Sequence, residues 1–162
     1  MLSFLYMYRL TVVAVGSLKE SFWKDAISEY AKRLSPSAKT RVIEVAETPF
    51  KSAGEAPAVL RAEAETLKKK LPDGAYVIAL DKGGMKPSSE EFAGWISREG
   101  EGGRELVFVI GGPLGLDPGF VRACHASLSL SGLTFTHGEA RAVLFEQLYR
   151  AMTILGGKTY HY

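Results

Sequence analysis

The residues that could do chemistry are concentrated in the last third of the chain. Ile110-Gly111-Gly112-Pro113-Leu114-Gly115 follows an apolar run, and so does the earlier loop Leu80-Asp81-Lys82-Gly83-Gly84. Glycines where a strand ends let the backbone turn sharply and come close to a ligand. Neither loop has the G-x-G-x-x-G spacing of a dinucleotide site or the G-K-[ST] of a P-loop. Each can equally be an ordinary tight turn, and it is their pairing at two strand ends that suggests a ligand site.

Ser127–Thr136 reads Ser-Leu-Ser-Leu-Ser-Gly-Leu-Thr-Phe-Thr, which is small and apolar for a connection. It could be a final strand running into a loop, whose exposed backbone and small side chains would suit recognition of an adenine edge. The competing reading is a core strand with serines on its other face. Next, His137 and Arg141 lie four residues apart and share a helix face. Arg141 has no acid four residues away and is the candidate for a functional cation. Glu146 and Arg150 form an i,i+4 pair in the favourable order, which is satisfied by a salt bridge alone. The end, Gly156-Gly157-Lys158-Thr159-Tyr160-His161-Tyr162, is too aromatic for a featureless tail and is expected to dock. The three histidines are not at metal-ligand spacing and no carboxylate cluster supports a metal, so no metal is expected. His125, beside the lone Cys124, reads as structural.

These residues need a scaffold, and the pattern supplies one. Leu10–Val15, Arg41–Ala46, Tyr76–Leu80 and Leu106–Ile110 read as strands, with Asp81–Gly84 as the turn after the third. Helical stripes run through Trp23, Ala26, Ile27, Tyr30 and Leu34; through Leu60, Ala64, Leu67 and Leu71; and through Phe92, Trp95 and Ile96. The last helix carries Ala140, Val143, Leu144, Leu148, Ala151 and Leu155. Ser17-Leu-Lys-Glu20 and Ser88-x-x-Glu91 have capping-box spacing. Lys68-Lys69-Lys70 closes the second helix, where cations suit the dipole or could meet RNA. Alternating strands and helices, with strands that are apolar throughout, predict an α/β fold. The expected architecture is a mostly parallel sheet with helices on both faces.

Composition is that of a globular protein: 162 residues, 46% hydrophobic and 23% charged, with formal net charge +2. That charge is too weak to argue for nucleic acid on its own. One cysteine excludes an intrachain disulfide, and a reducing cytoplasm is the expected compartment. No stretch approaches a membrane span, and Met1–Tyr8 lacks the features of a signal peptide. A single domain over 7–162 is expected, with 1–6 as a possible extension.

As an ordered series, these motifs resemble the ribosomal RNA large subunit methyltransferase H family of the SPOUT superfamily. The matching residues are Val12-Val-Ala-Val-Gly16, Ala79-Leu80-Asp81, Ile110–Gly115, Leu130-Ser-Gly-Leu-Thr-Phe135, His137-x-x-x-Arg141, Glu146-Gln-Leu-Tyr-Arg150 and Tyr160-His161. The resemblance implies a C-terminal trefoil knot, a homodimer and S-adenosylmethionine as cofactor. The implied cofactor contacts are Leu80, Gly112, Leu130, Ser131, Gly132, Leu133, Thr134 and Phe135. The implied reaction is methylation at N3 of a pseudouridine in 23S rRNA of the assembled ribosome. Arg141 is then expected to stabilise charge or contact RNA phosphate. His137 and His161 would accept a proton or position the base, and Tyr160 would stack on it. The alternatives are a knotted methyltransferase acting on tRNA and a non-catalytic RNA- or nucleotide-binding module.

Overall fold

The computed structural model describes residues 7–160. Its centre is a five-stranded sheet in the order β2-β1-β4-β3-β5, and every pairing is parallel. The strands are β1 (Tyr8–Val15), β2 (Ala38–Val45), β3 (Tyr76–Met85), β4 (Glu105–Ile110) and β5 (Ala126–Leu128). Helices α1 (Ser21–Leu34), α2 (Ala56–Lys68), α3 (Ser89–Glu99), α4 (Pro118–Ala123) and α5 (His137–Leu155) complete the fold.

Strand alternation sends residues to two cores, as a sheet covered on both faces requires. Leu10, Val12 and Ala14 join Leu106, Phe108 and Ile110 under α1, α3 and α5, where Leu34, Trp95, Ile96, Leu144, Phe145 and Leu148 meet them. Val13, Val15, Val107 and Val109 face the other way, against Ala64 and Leu67 of α2 and Phe120 of α4. The α/β architecture with helices on both faces is therefore the one expected.

Local expectations fared unevenly. The box at Ser88 and Glu91 forms and starts α3. The one read at Ser17–Glu20 does not: α1 starts at Ser21 with no side-chain cap, and the Leu18 N–H donates to Glu44 Oε2 at 3.1 Å. The turn expected at Asp81–Gly84 is an excursion within β3. Leu128 of β5 pairs with Leu80 before it and with Met85 after it. The chain returns so tightly that a Cβ on Gly84 would stand 2.6 Å from the Leu128 backbone nitrogen, so only glycine fits. The final strand is short, and a loop follows Leu128, so Ser127–Thr136 is a strand end running into a loop.

Candidate functional site

A cleft of about 640 Å3 opens at the carboxyl ends of β3, β4 and β5. Parallel sheets place ligands there because the connecting loops diverge at that end. Leu80, Gly112, Leu130, Ser131, Leu133, Thr134 and Phe135 all line it. Of the eight residues expected around a cofactor, Gly132 alone is not a lining residue and sits in the turn between Ser131 and Leu133. Ser131 Oγ accepts the Leu133 N–H at 2.9 Å, and Ser129 Oγ donates to the Ser131 carbonyl at 3.0 Å. These bonds shape the loop and leave Leu133 77% exposed at the rim. Asp81, Lys82, Pro113 and Leu114, from the two glycine-rich loops read as a ligand site, also line the cleft, although the family resemblance did not name them as contacts.

Behind the glycine loop lies Glu63 of α2, which is buried. Its Oε1 accepts the Thr48 N–H at 3.1 Å. A Cβ on Gly112 would stand 3.2 Å from Val15 Cγ1, so this glycine lets the loop pack closely on Val15, with Glu63 Oε2 next at 3.6 Å. Burial raises the Glu63 carboxyl above its ordinary pKa, partly offset by the Thr48 hydrogen bond; nearby Glu47 adds to the rise.

The first turn of α5 divides this cleft from a second one of about 440 Å3, lined by Gly16, Ser17, Lys19, Glu20, Glu44 and Glu47 among others. His137 lines both. Thr136 caps α5 in a box with Glu139, a signal legible in the sequence as Thr-x-x-Glu. Gly138 lets α5 approach α1, for a Cβ there would lie 2.6 Å from Trp23 Cδ1.

Arg141 is not the free cation that its sequence neighbours suggested. Only 1% exposed, it donates from Nη1 to Glu44 Oε2 at 2.6 Å and from Nη2 to the Gly16 carbonyl at 2.7 Å. Nη2 also lies 3.4 Å from His137 Nδ1. Its acid comes from β2, far outside the i,i+4 window. The expected α5 stripe is only partly right: Leu144, Leu148 and Ala151 are buried as read, Arg141, Ala142, Phe145 and Met152 join them, and Ala140, Val143 and Leu155 are half-buried.

The far end of α5 carries a different cluster. Arg150 pairs with Glu146 as expected and also donates to the Tyr160 carbonyl at 3.3 Å. Its guanidinium lies 4.7 Å from the centre of the Tyr160 ring, which meets Tyr149 edge-on at 4.8 Å. Tyr149 faces Tyr30 of α1 at 6.2 Å, and Arg33 covers both rings. The tail therefore docks as far as Tyr160, whose phenol burial pushes towards its neutral form. His161 lies outside the described residues. The structure brings His137 and Arg141 together and holds Tyr160 apart from them.

His125 is structural: its Nδ1 accepts the Val77 N–H at 3.0 Å and its ring stacks on Tyr76. Burial pushes the Cys124 thiol up to about 11, which leaves it protonated and a poor nucleophile near neutrality. Among the described residues, no group of three or more His, Cys, Asp or Glu is arranged to hold a metal, and no helix is long and apolar enough to cross a membrane.

Residues 8–161 match the family described as "Predicted SPOUT methyltransferase". The chain is 42% identical over 156 residues to the ribosomal RNA large subunit methyltransferase H of Carboxydothermus hydrogenoformans, covering 94% of this chain and 98% of that one. It is 44% identical over 156 residues to the protein of the same name from Bifidobacterium animalis subsp. lactis, with coverages of 94% and 98%. In fold it is similar to a probable methyltransferase from Bordetella pertussis Tohama I, with TM-score 0.54 at 14% identity over 90% of this chain and 95% of that one. A probable methylase family protein from Haemophilus influenzae Rd KW20 gives 0.52 at 15% identity, over 96% and 71%. The strand-end cleft thus stands in a scaffold shared with methyltransferases, and near full-length identity of this size places the chain in the ribosomal RNA large subunit methyltransferase H family of SPOUT methyltransferases.

Proposed function

We propose that this protein transfers the methyl group of S-adenosylmethionine to N3 of a pseudouridine in 23S rRNA, within the assembled ribosome in the cytoplasm. The observation that carries the reading is the cleft at the ends of β3, β4 and β5, in a chain 42% identical to a named rRNA methyltransferase. The cleft fits such a cofactor. Its volume of about 640 Å3 lies in the range of small-ligand pockets, and its walls are largely small or apolar side chains on glycine-rich loops. Leu80, Gly112 and the 130–135 loop would hold the cofactor, whose sulfonium supplies an electrophilic methyl group when bound. The trefoil knot implied by the family belongs to the same reading.

The N3–H of the base lies between two carbonyls and must lose its proton as the methyl group arrives. The site therefore needs a proton acceptor and positive potential near the carbonyls. His137 stands at the mouth of the cleft and is a candidate acceptor; His161 is the other. Arg141 acts as a positioning residue: buried on Glu44 and Gly16, it fixes the start of α5 and brings positive charge beside His137. Tyr160 would stack on the base. Arg150, which holds Tyr160, lies thirteen residues along α5 from His137, roughly 20 Å at 1.5 Å per residue. A tail docked so far from its own cleft supports a homodimer in which each tail serves the partner's site.

Mass spectrometry of nucleosides after incubating ribosomes with enzyme and labelled cofactor tests this directly. N3-methylpseudouridine in 23S rRNA is the expected product, and label in tRNA instead would overturn the substrate. Assembled ribosomes should be methylated far better than naked rRNA fragments; equal turnover would remove the requirement for assembly.

A further inference from the structure

The net charge of +2 conceals a local concentration of cations. Alternation puts Arg9 on the same side of the sheet as Val13 and Val15, and Lys39 and Arg41 on the same side as Val45. The register sets Arg9 beside Lys39 and Thr11 beside Arg41. Toward the carboxyl ends this face is covered, with Val13, Val15 and Val45 buried in one core with α2 and α4 residues. At the amino ends it is open: the Arg9 and Arg41 side chains are 57% and 56% exposed, and Lys39 is exposed. Helix α2 leaves the carboxyl end of β2 and must run back to the start of β3. It delivers Lys68, Lys69 and Lys70, all exposed, to that same end.

Acidic compensation is limited. Glu105 of β4 is buried and takes Thr11 Oγ1 at 2.6 Å, Arg41 at 3.1 Å and Arg9 at 3.4 Å. Glu65 pairs with Lys68 at 2.9 Å, and Asp73 follows in the next turn. Setting like charges on neighbouring strands opposes folding, so sheet stability gives no reason for Lys39 beside Arg9. The cost is recovered if a polyanion binds across them.

We propose that Arg9, Lys39, Arg41, Lys68, Lys69 and Lys70 form a second RNA contact, gripping phosphates of folded rRNA away from the methyl-transfer cleft. The proposal rests on the rRNA reading above and extends it to where the substrate is held. Arg9 pairs with Glu105, and five residue steps of β4, roughly 17 Å at ~3.3 Å each, separate Glu105 from Ile110 on the wall of the cleft. That separation suits a macromolecular substrate held at two places and is too long for a small ligand. Arginines can bind phosphate oxygens in pairs and lysines act as point charges, so the contact reads backbone and leaves base choice to the cleft.

The test compares two charge-matched triple variants in steady-state methylation of ribosomes across a salt series. Lys39→Gln/Lys69→Gln/Lys70→Gln removes patch cations, and Lys24→Gln/Lys32→Gln/Lys51→Gln removes cations elsewhere. The patch variant should raise the KM for ribosomes about tenfold and flatten the log–log salt dependence by about 2, as expected when roughly three phosphate contacts are lost. Its kcat and cofactor affinity should match wild type, and its melting temperature should be no lower. A KM and salt slope equal to those of the control triple would overturn the patch. Cosedimentation with ribosomes, run in parallel, separates the two readings. If wild type transfers no methyl group to rRNA, the functional reading fails, and the patch is then judged by cosedimentation alone: loss in the patch variant supports it and retention overturns it.

Discussion

The two ends of α5 each carry an arginine bonded to a glutamate, yet they are built for different purposes. At the N-terminal end Arg141 reaches across the fold to Glu44 of β2, and its guanidinium also ties down the Gly16 carbonyl where β1 ends. At the C-terminal end Arg150 pairs with Glu146 one turn away and spends its remaining capacity on the tail, through the Tyr160 carbonyl and ring. The first arrangement joins three elements around a buried guanidinium; the second is local and half-buried. Removing one partner of a long-range buried pair strands the other charge, whereas a local, more exposed pair contributes little to stability.

The largest expected effect is on the architectural end. Arg141→Ala leaves Glu44 and the Gly16 carbonyl without their donor. It should cost about 2–3 kcal/mol in urea unfolding, below the roughly 3–5 of a fully buried pair because the Glu44 side chain is 39% exposed. A loss under ~1 kcal/mol would mean that the pair is not structural. Arg150→Gln should invert the pattern: a stability change within about 1 kcal/mol, with methyl transfer to ribosomes down tenfold or more and cofactor affinity unchanged. If stability falls and transfer does not, the two ends are equivalent after all. Tyr160→Leu should lose the cation–π contact with Arg150 and the edge-on contact with Tyr149, together about 1–2 kcal/mol, seen as faster amide exchange confined to the last turn of α5 and the tail.

Glu63 supplies a third term, a buried carboxylate held by a backbone N–H. Its pKa is raised on folding, so its contribution to stability is fully present at low pH and is lost as pH rises through the raised value. Glu63→Gln, which mimics the protonated form, should therefore melt slightly higher than wild type near pH 7. The gap should close below about pH 4, where the wild-type carboxyl is itself protonated. A gap that widens on acidification would reverse the sign.

Much of the scaffold was legible because it depends on local pattern. Val12–Val15 of β1 and Leu106–Ile110 of β4 are unbroken apolar runs buried on both faces, and α3 starts at the Ser88–Glu91 box as spacing predicts. The lining of the cleft was legible only through the ordered family series, since Gly112 or Leu130 alone could equally have been turn or core. What escaped was set by distant partners. The Ser17–Glu20 box does not form: α1 starts four residues later at Ser21, and the Leu18 N–H goes to Glu44, 26 residues on. Arg141 looked free because its acid is 97 residues away. The Asp81–Gly84 excursion passed for a turn because nothing in the sequence says that β3 resumes beside β5 at Met85.

That excursion leaves and rejoins the sheet at one residue of its neighbour, Leu128, so its length is uncoupled from strand register. Asp81 and Lys82 nevertheless sit on the wall of the cleft. The segment is therefore a natural insertion point for an optical reporter. A cysteine in place of Lys82, labelled with an environment-sensitive dye while protonated Cys124 stays unreactive, would sense ligand arrival without disturbing the fold, provided that Gly84 is kept.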